Sequence, residues 1–131
     1  MHKSLIFGES CEKKVKKVIA LSTDKAAAPI NLYGATKLCS DKLMINGNFY
    51  ANQFLTKFSV VRYGNVIGSR GSVLPYFKSL IEKDTNYLPI TDEKMTRFIM
   101  SISDASKMIL KVTKIAKDGE IFIFLLEKFA L

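Results

Sequence analysis

Lys17-Val18-Ile19-Ala20-Leu21-Ser22-Thr23-Asp24-Lys25-Ala26-Ala27-Ala28-Pro29-Ile30-Asn31-Leu32-Tyr33-Gly34-Ala35-Thr36-Lys37 changes character twice within 21 residues. Lys17 to Ser22 is a short apolar run, β-branched at its start and preceded by charges, the pattern of a buried parallel strand. Ala26-Ala27-Ala28-Pro29 breaks it, because the residue before a proline is pushed away from helical geometry. From Leu32 to about Asn46 the spacing predicts a helix, with Leu32, Ala35, Leu38, Cys39 and Leu43 near one face and Asn31 as its N-cap. Strand, loop and helix in this order make one half of a β-α-β unit.

The flanking sequence repeats the alternation. Lys57 to Tyr63 reads as a second strand, and Gly64, Gly68 and Gly71 punctuate the loop behind it. Ser72 is a candidate cap for a helix over Val73 to Glu82, with Phe77, Leu80 and Ile81 facing inward. Tyr87 to Ile90 and Thr96 to Ile102 read as short extended segments. Asp104 to Lys117 is amphipathic, with Ala105, Met108, Ile109, Val112 and Ile115 at helical spacing and Gly119 as its stop. Glu120 to Leu126 reads as a last strand. Alternating strands and helices predict an α/β fold with a mainly parallel sheet. No internal repeat, linker or low-complexity tract interrupts it.

The chain has 131 residues, enough for one domain, and its 48% hydrophobic content supports a modest core. Its apolar runs fall far short of the ~20 residues that span a bilayer, and the N-terminal apolar stretch is too short for a signal peptide. A cytoplasmic protein without a membrane partner is expected. Cys11 and Cys39 lie far apart with only His2 as a further ligand, so neither a metal site nor a disulfide framework is expected. The net charge of +8 raises nucleic acid as a partner. However, the only dense basic run is Lys13-Lys14-Val15-Lys16-Lys17, and no stacking aromatics interleave with it. No nucleic-acid partner is expected, although a small basic nucleic-acid-binding domain stands as an alternative reading.

Tyr33-Gly34-Ala35-Thr36-Lys37 places a phenol and an ammonium four residues apart, on one helical face. A phenol is a poor base near neutrality, and a neighbouring ammonium favours its ionised form, which suits proton transfer from an alcohol. Alone the motif is weak: the Tyr and Lys content gives ~0.6 chance matches in a chain of this length. Its setting adds weight. Ser22-Thr23-Asp24-Lys25 ends the predicted strand just before this helix, and open α/β sheets bind ligands beyond the carboxyl ends of their strands. Asp24 beside Lys25 is also compatible with a surface turn and ion pair.

Three blocks then carry a resemblance. Val18 to Lys37 resembles the active-site stretch of the inverting UDP-N-acetylglucosamine 4,6-dehydratases, which are extended short-chain dehydrogenase/reductases. Phe58-Ser59-Val60-Val61-Arg62-Tyr63-Gly64-Asn65-Val66-Ile67-Gly68-Ser69-Arg70-Gly71-Ser72-Val73-Leu74-Pro75 agrees with it. So do Leu88-Pro89-Ile90-Thr91-Asp92 and Met95-Thr96-Arg97-Phe98. The blocks follow the family's order and spacing from about Lys13 to Phe122.

The resemblance implies a role at each matched position. Lys37 would hold the nicotinamide ribose, and Tyr33 would assist oxidation at the sugar C4. Asp24 and Lys25 would be the acid and base that remove water across C5 and C6. A Lys in that role must first lose its proton, which burial or a nearby cation favours. Leu21 and Ser22 match cofactor contacts, and Val66, Ile67, Gly68, Ser69 and Arg70 match the loop beside the nicotinamide. Thr23 and Asn65 match substrate contacts, and Arg97 a residue reaching the substrate, where its planar fork suits phosphate oxygens. The retaining relatives usually have Met where Tyr33 stands, so Tyr33 favours inversion at C5. Gly64, Gly68 and Gly71 are not a dinucleotide fingerprint, because their spacing is wrong.

The implied protein is an NADP- or NAD-dependent lyase acting on a nucleotide sugar in polysaccharide or glycan biosynthesis, and its relatives are homo-oligomers. An epimerase or retaining dehydratase of the same superfamily is the alternative. The implied fold is part of a Rossmann-like, doubly wound, mainly parallel sheet lacking the N-terminal Gly-rich β-α-β unit. Residues 1–12 and 123–131 depart from the family, and residues 13–122 carry the catalytic segment. Both ends read as those of a truncated frame, with little or no turnover expected of the chain by itself.

Overall fold

A computed structural model describes residues 2–69, 72–92, 94–124 and 128–130. In chain order the elements are α1 (His2–Glu12), β1 (Lys17–Thr23), a 3-10 turn (Asp24–Ala26), α2 (Leu32–Tyr50), β2 (Lys57–Tyr63) and β3 (Asn65–Val66). Then follow α3 (Val73–Glu82), β4 (Thr96–Met100), α4 (Ile102–Ile115), β5 (Ile121–Ile123) and β6 (Lys128–Ala130). The chain divides into two compact units, Met1–Tyr63 with Ser106–Phe124, and Gly64–Ala105 with Leu125–Leu131.

The first unit is a parallel sheet in the order β1-β2-β5 with helices on both faces. Central β2 is buried from Phe58 to Val61 because each of its faces meets a helix layer. Phe58 and Val60 join Met44 and Ala51 from α2's end of the layer and Cys11 from α1, with Val18 and Ala20 beside them. Val61 points the other way, onto Val112 and Ala116 next to Ile19, Tyr63 and Phe122. Strand residues two apart share a face, so this alternation sorts β1 and β2 into an α2 side and an α4 side. Full burial of Phe58 or Val60 stabilises the unit by ~1.5–3 kcal/mol each.

Polar groups then lock the register. Asn48 of α2 donates to the Phe58 carbonyl and accepts from its amide, both at 2.8 Å, standing in for a strand partner. Gly119, at φ +67°, turns the chain after α4 and donates its amide to the same carbonyl at 3.1 Å. Lys17 donates to the Thr113 and Lys114 carbonyls at the C-terminal end of α4, where a cation is favoured.

The second unit pairs β3 with β4 in parallel and β4 with β6 antiparallel, with α3 in the same unit. Ser101 begins α4: its hydroxyl accepts from the Asp104 amide at 3.0 Å and donates to the Asp104 carboxylate at 2.7 Å.

Several sequence expectations need correction. Helix α4 starts at Ile102 rather than Asp104, because Ser101 takes the cap; Ala116 is buried where Ile115 was expected. Tyr87 to Ile90 forms no strand, and β4 ends at Met100. Ser72 precedes α3 but makes no side-chain cap bond, and Ile81 is exposed. Of the last predicted strand only Ile121–Ile123 forms, with Leu125 and Leu126 outside the described residues.

The largest correction concerns α2. Its buried residues are Gly34, Asp41, Met44 and Gly47, while Leu32 is 79% and Leu43 50% exposed, and Ala35 and Cys39 face outward as well. Close approach decides this orientation. A Cβ on Gly34 would lie 2.9 Å from the Pro29 Cβ, and one on Gly47 would collide with the Phe7 ring. Asp41 is admitted to the buried face because Arg62 of β2 meets it.

Among the described residues no helix is long and apolar enough to cross a membrane, and no three His, Cys, Asp or Glu side chains cluster as metal ligands. Cys11 is a buried thiol and Cys39 an exposed one.

Candidate active site

The first unit gathers one set of residues at the carboxyl end of β1. The strand runs straight into the 3-10 turn, whose N-cap is Thr23. The Thr23 hydroxyl donates to Asp24 Oδ1 at 2.8 Å and accepts from the Lys25 amide at 3.4 Å. Lys25 Nζ lies 3.1 Å from the same Asp24 oxygen, so carboxylate and ammonium are paired across the turn. The Lys25 side chain is 41% exposed, so the burial that base chemistry would want is absent here.

Helix α2 packs its first turn against this turn. Asn31 caps it, accepting from the Gly34 amide at 2.9 Å, as the sequence predicts. Missing its side chain, Gly34 lets the helix approach the Lys25 carbonyl and Pro29. Tyr33, half exposed, and Lys37 follow on the same helix, and Lys37 Nζ donates to the Leu21 carbonyl at 3.5 Å. Asp24, Lys25, Tyr33 and Lys37 therefore belong to two elements in direct contact. Ser22 is buried, and its hydroxyl has no partner among the described residues.

The second unit holds the other candidates around a cavity of about 340 Å³. Asn65, Val66, Ile67 and Gly68 line it from β3 and the turn behind it, and Arg97 from β4. Asn65 Nδ2 donates to the Phe98 carbonyl at 3.2 Å, which ties its amide to β4. Arg97 Nη1 donates to the carbonyl of its neighbour Thr96 at 3.0 Å, which uses one of the five donors of its fork. Ser69 is exposed and does not line the cavity, and Arg70 lies outside the described residues.

Sequence reasoning missed part of this cavity: Ser72, Leu74, Thr91 and Met95 also line it. All four stood in the resembling blocks, but nothing in the spacing singles them out. The cavity is apolar with a few polar groups at its edge, a lining that suits a flat, partly apolar group carrying hydrogen-bonding atoms.

A family model described as polysaccharide biosynthesis protein matches residues 3–130. The chain belongs to this family. Within reach of it, the inverting UDP-N-acetylglucosamine 4,6-dehydratase of Campylobacter jejuni is 58% identical over 112 residues, which make up 86% of this chain and 34% of that protein. Pen from Bacillus thuringiensis, a solved structure, superposes with a TM-score of 0.89 at 38% identity, over 97% of this chain and 40% of that one. A dTDP-glucose 4,6-dehydratase from Streptomyces venezuelae, solved with NAD bound, superposes with a TM-score of 0.78 over 95% of this chain and 44% of that one. At 19% identity that likeness shows the fold alone, and it is the Rossmann-type fold expected from the sequence. The chain spans about a third of the length of the curated family relatives it matches.

Proposed function

We propose that the chain provides the catalytic segment of an NAD(P)-dependent UDP-N-acetylglucosamine 4,6-dehydratase that inverts C5. The observation that carries this reading is the contact between the Asp24–Lys25 turn and the helix bearing Tyr33 and Lys37, in a chain 58% identical to such an enzyme. A dinucleotide fits the residues present. Lys37 spends one donor on the Leu21 carbonyl and has two more for ribose hydroxyls, and the buried Ser22 hydroxyl has no partner among the described residues.

In the first unit Leu21, Ser22 and Lys37 would hold that cofactor, and the resemblance alone adds Val66, Ile67, Gly68, Ser69 and Arg70; when bound it would supply the hydride acceptor. Tyr33 takes the proton of the C4 hydroxyl as that carbon is oxidised. Lys25 removes the proton from C5, and Asp24 gives one to the C6 oxygen as the C6–O bond breaks and water leaves; the hydride taken from C4 then returns to C6 while C5 takes a solvent proton on its opposite face. For this the Lys25 proton must first pass to Asp24 across their 3.1 Å contact, which turns ammonium and carboxylate into amine and acid. Thr23 and Asn65 orient the sugar, and Arg97 meets the diphosphate. The cofactor is NADP or NAD, the compartment is the cytoplasm, and the intact protein self-associates.

Proton NMR in D2O, with UDP-N-acetylglucosamine and NADP+ added to the purified chain, tests the reading. Little or no turnover is expected of the chain by itself, and any product that forms should be a 4-keto-6-deoxy sugar with deuterium at an inverted C5. A C4 epimer as sole product, or a folded chain that turns over nothing and saturably binds neither ligand, refutes it.

A further inference from the structure

Asp41 is 1% exposed, sits on α2 eight residues after Tyr33 and four after Lys37, and takes no part in the chemistry above. Its Oδ2 accepts from Arg62 Nε at 2.8 Å, and the Arg62 side chain is itself largely buried. We propose that this buried ion pair is a positioning device, which fixes where α2 lies along the sheet and so places Tyr33 and Lys37. The proposal rests on the reading of those two residues given above.

Stability alone does not account for the pair. Removing two charges from water costs more than an average pair returns, and apolar residues of similar volume usually serve as well. Here the compensation is incomplete, because Asp41 Oδ1 is buried with no partner among the described residues. What the pair does offer is direction. Met44, Gly34 and Gly47 let α2 approach its neighbours by shape, and shape tolerates sliding. A charge-assisted hydrogen bond does not, since it weakens steeply with distance and angle.

Among the described residues two polar side chains anchor α2 on β2. Asn48 grips Phe58 at the start of the strand, and Asp41 grips Arg62 near its end. Seven residues of helix cover about 10 Å and four of strand about 13 Å, so the two grips lie at well-separated points. Asn48 is fifteen residues from Tyr33, about 22 Å along the helix. A helix held only there can pivot, and its far end carries Tyr33. Asp41 stands two turns from Tyr33 and one from Lys37, whose own bond to the Leu21 carbonyl is long at 3.5 Å. Arg62 is also in register with Ser22, the residue after Leu21, so the grip ties α2 to the strand ends that form the site.

Two variants of the full chain move stability and geometry in opposite directions. Asp41→Asn keeps an acceptor for Arg62 but leaves a buried charge uncompensated. Asp41→Leu with Arg62→Met removes the charges and the grip while filling the space. Each is read by Tm, by the NOEs between the Lys37 side chain and Leu21, and by the Kd for NADPH. The expected outcome is that Asp41→Asn lowers Tm by ~10 °C or more with the NOEs retained. The double variant keeps its Tm and loses the NOEs, and NADPH binding weakens at least tenfold. NOEs that follow Tm in both variants, or that survive in the double variant, overturn the proposal. If the wild type binds no NADPH, that result counts against the functional reading, and the NOEs still decide this one.

Discussion

Replacing Gly34 by alanine sets two known effects against each other. In an isolated helix the change is favourable by ~1 kcal/mol, because glycine loses more backbone freedom on folding. In this fold a Cβ at residue 34 would lie 2.9 Å from the Pro29 Cβ and 3.3 Å from its Cα, and would press hardest on the Lys25 carbonyl oxygen. None of these is the free end of a flexible side chain, so relief requires the backbone to shift by several tenths of an ångström. Overpacking of this kind costs ~1–3 kcal/mol, and a rigid neighbour puts it at the upper end. The net expectation is a loss of ~1–2 kcal/mol, which in a chain of this size lowers Tm by roughly 3–8 °C. The shift also separates the Asp24–Lys25 turn from α2, and misplacement by ~1 Å can cost ~10²-fold in rate. Gly8→Ala is the internal control, since nothing lies within 4 Å of a Cβ built there in α1. Melting curves followed by circular dichroism should therefore move in opposite directions, up for Gly8→Ala and down for Gly34→Ala. A G34A chain melting at or above wild type would refute the close-approach argument, and with it the tight seating of the helix on the turn.

Asn48→Ala removes both bonds to Phe58; the carbonyl keeps Gly119, but the amide is left without its acceptor, at a cost of ~2–3 kcal/mol measurable by urea denaturation. An unchanged midpoint would mean that water replaces Asn48 freely. Ala28 stands at φ +46° in the loop between the 3-10 turn and α2. Glycine there relieves ~1 kcal/mol of strain, partly offset by unfolded-chain entropy, whereas valine adds to it. Melting temperatures should rank Ala28→Gly at or above wild type and Ala28→Val clearly below, and a reversed order would place the strain elsewhere.

The parts of the fold that were legible in the sequence are those that a local pattern decides. β1 and β2 were readable because their short apolar, β-branched runs are bounded by charge and turn residues. The cap of α2 was readable for the same reason: Asn31 acts on an amide three residues away. So was the meeting of Asp24 and Lys25 with the Tyr33 helix, because a strand, a short turn and a helix bring those residues to one edge. The orientation of α2 was not. A pattern that rewards large apolar side chains selects Leu32, Ala35, Cys39 and Leu43, yet the buried face is built from residues that let the backbone come close. Gly34 and Gly47 have no side chain to signal burial, and Asp41 signals exposure until Arg62, 21 residues further on, is known to face it. The cavity in the second unit was hidden in the same way. Asn65 and Arg97 are 32 residues apart and become neighbours only because β3 pairs with β4, a tertiary event with no local signature. Where a buried charge is involved, the useful sign is a pair of violations rather than one. Arg62 interrupts the apolar run of a central strand, and Asp41 interrupts the buried side of the helix that covers it. Each is costly alone, and together they mark the point at which the helix carrying the proposed catalytic residues is held in place.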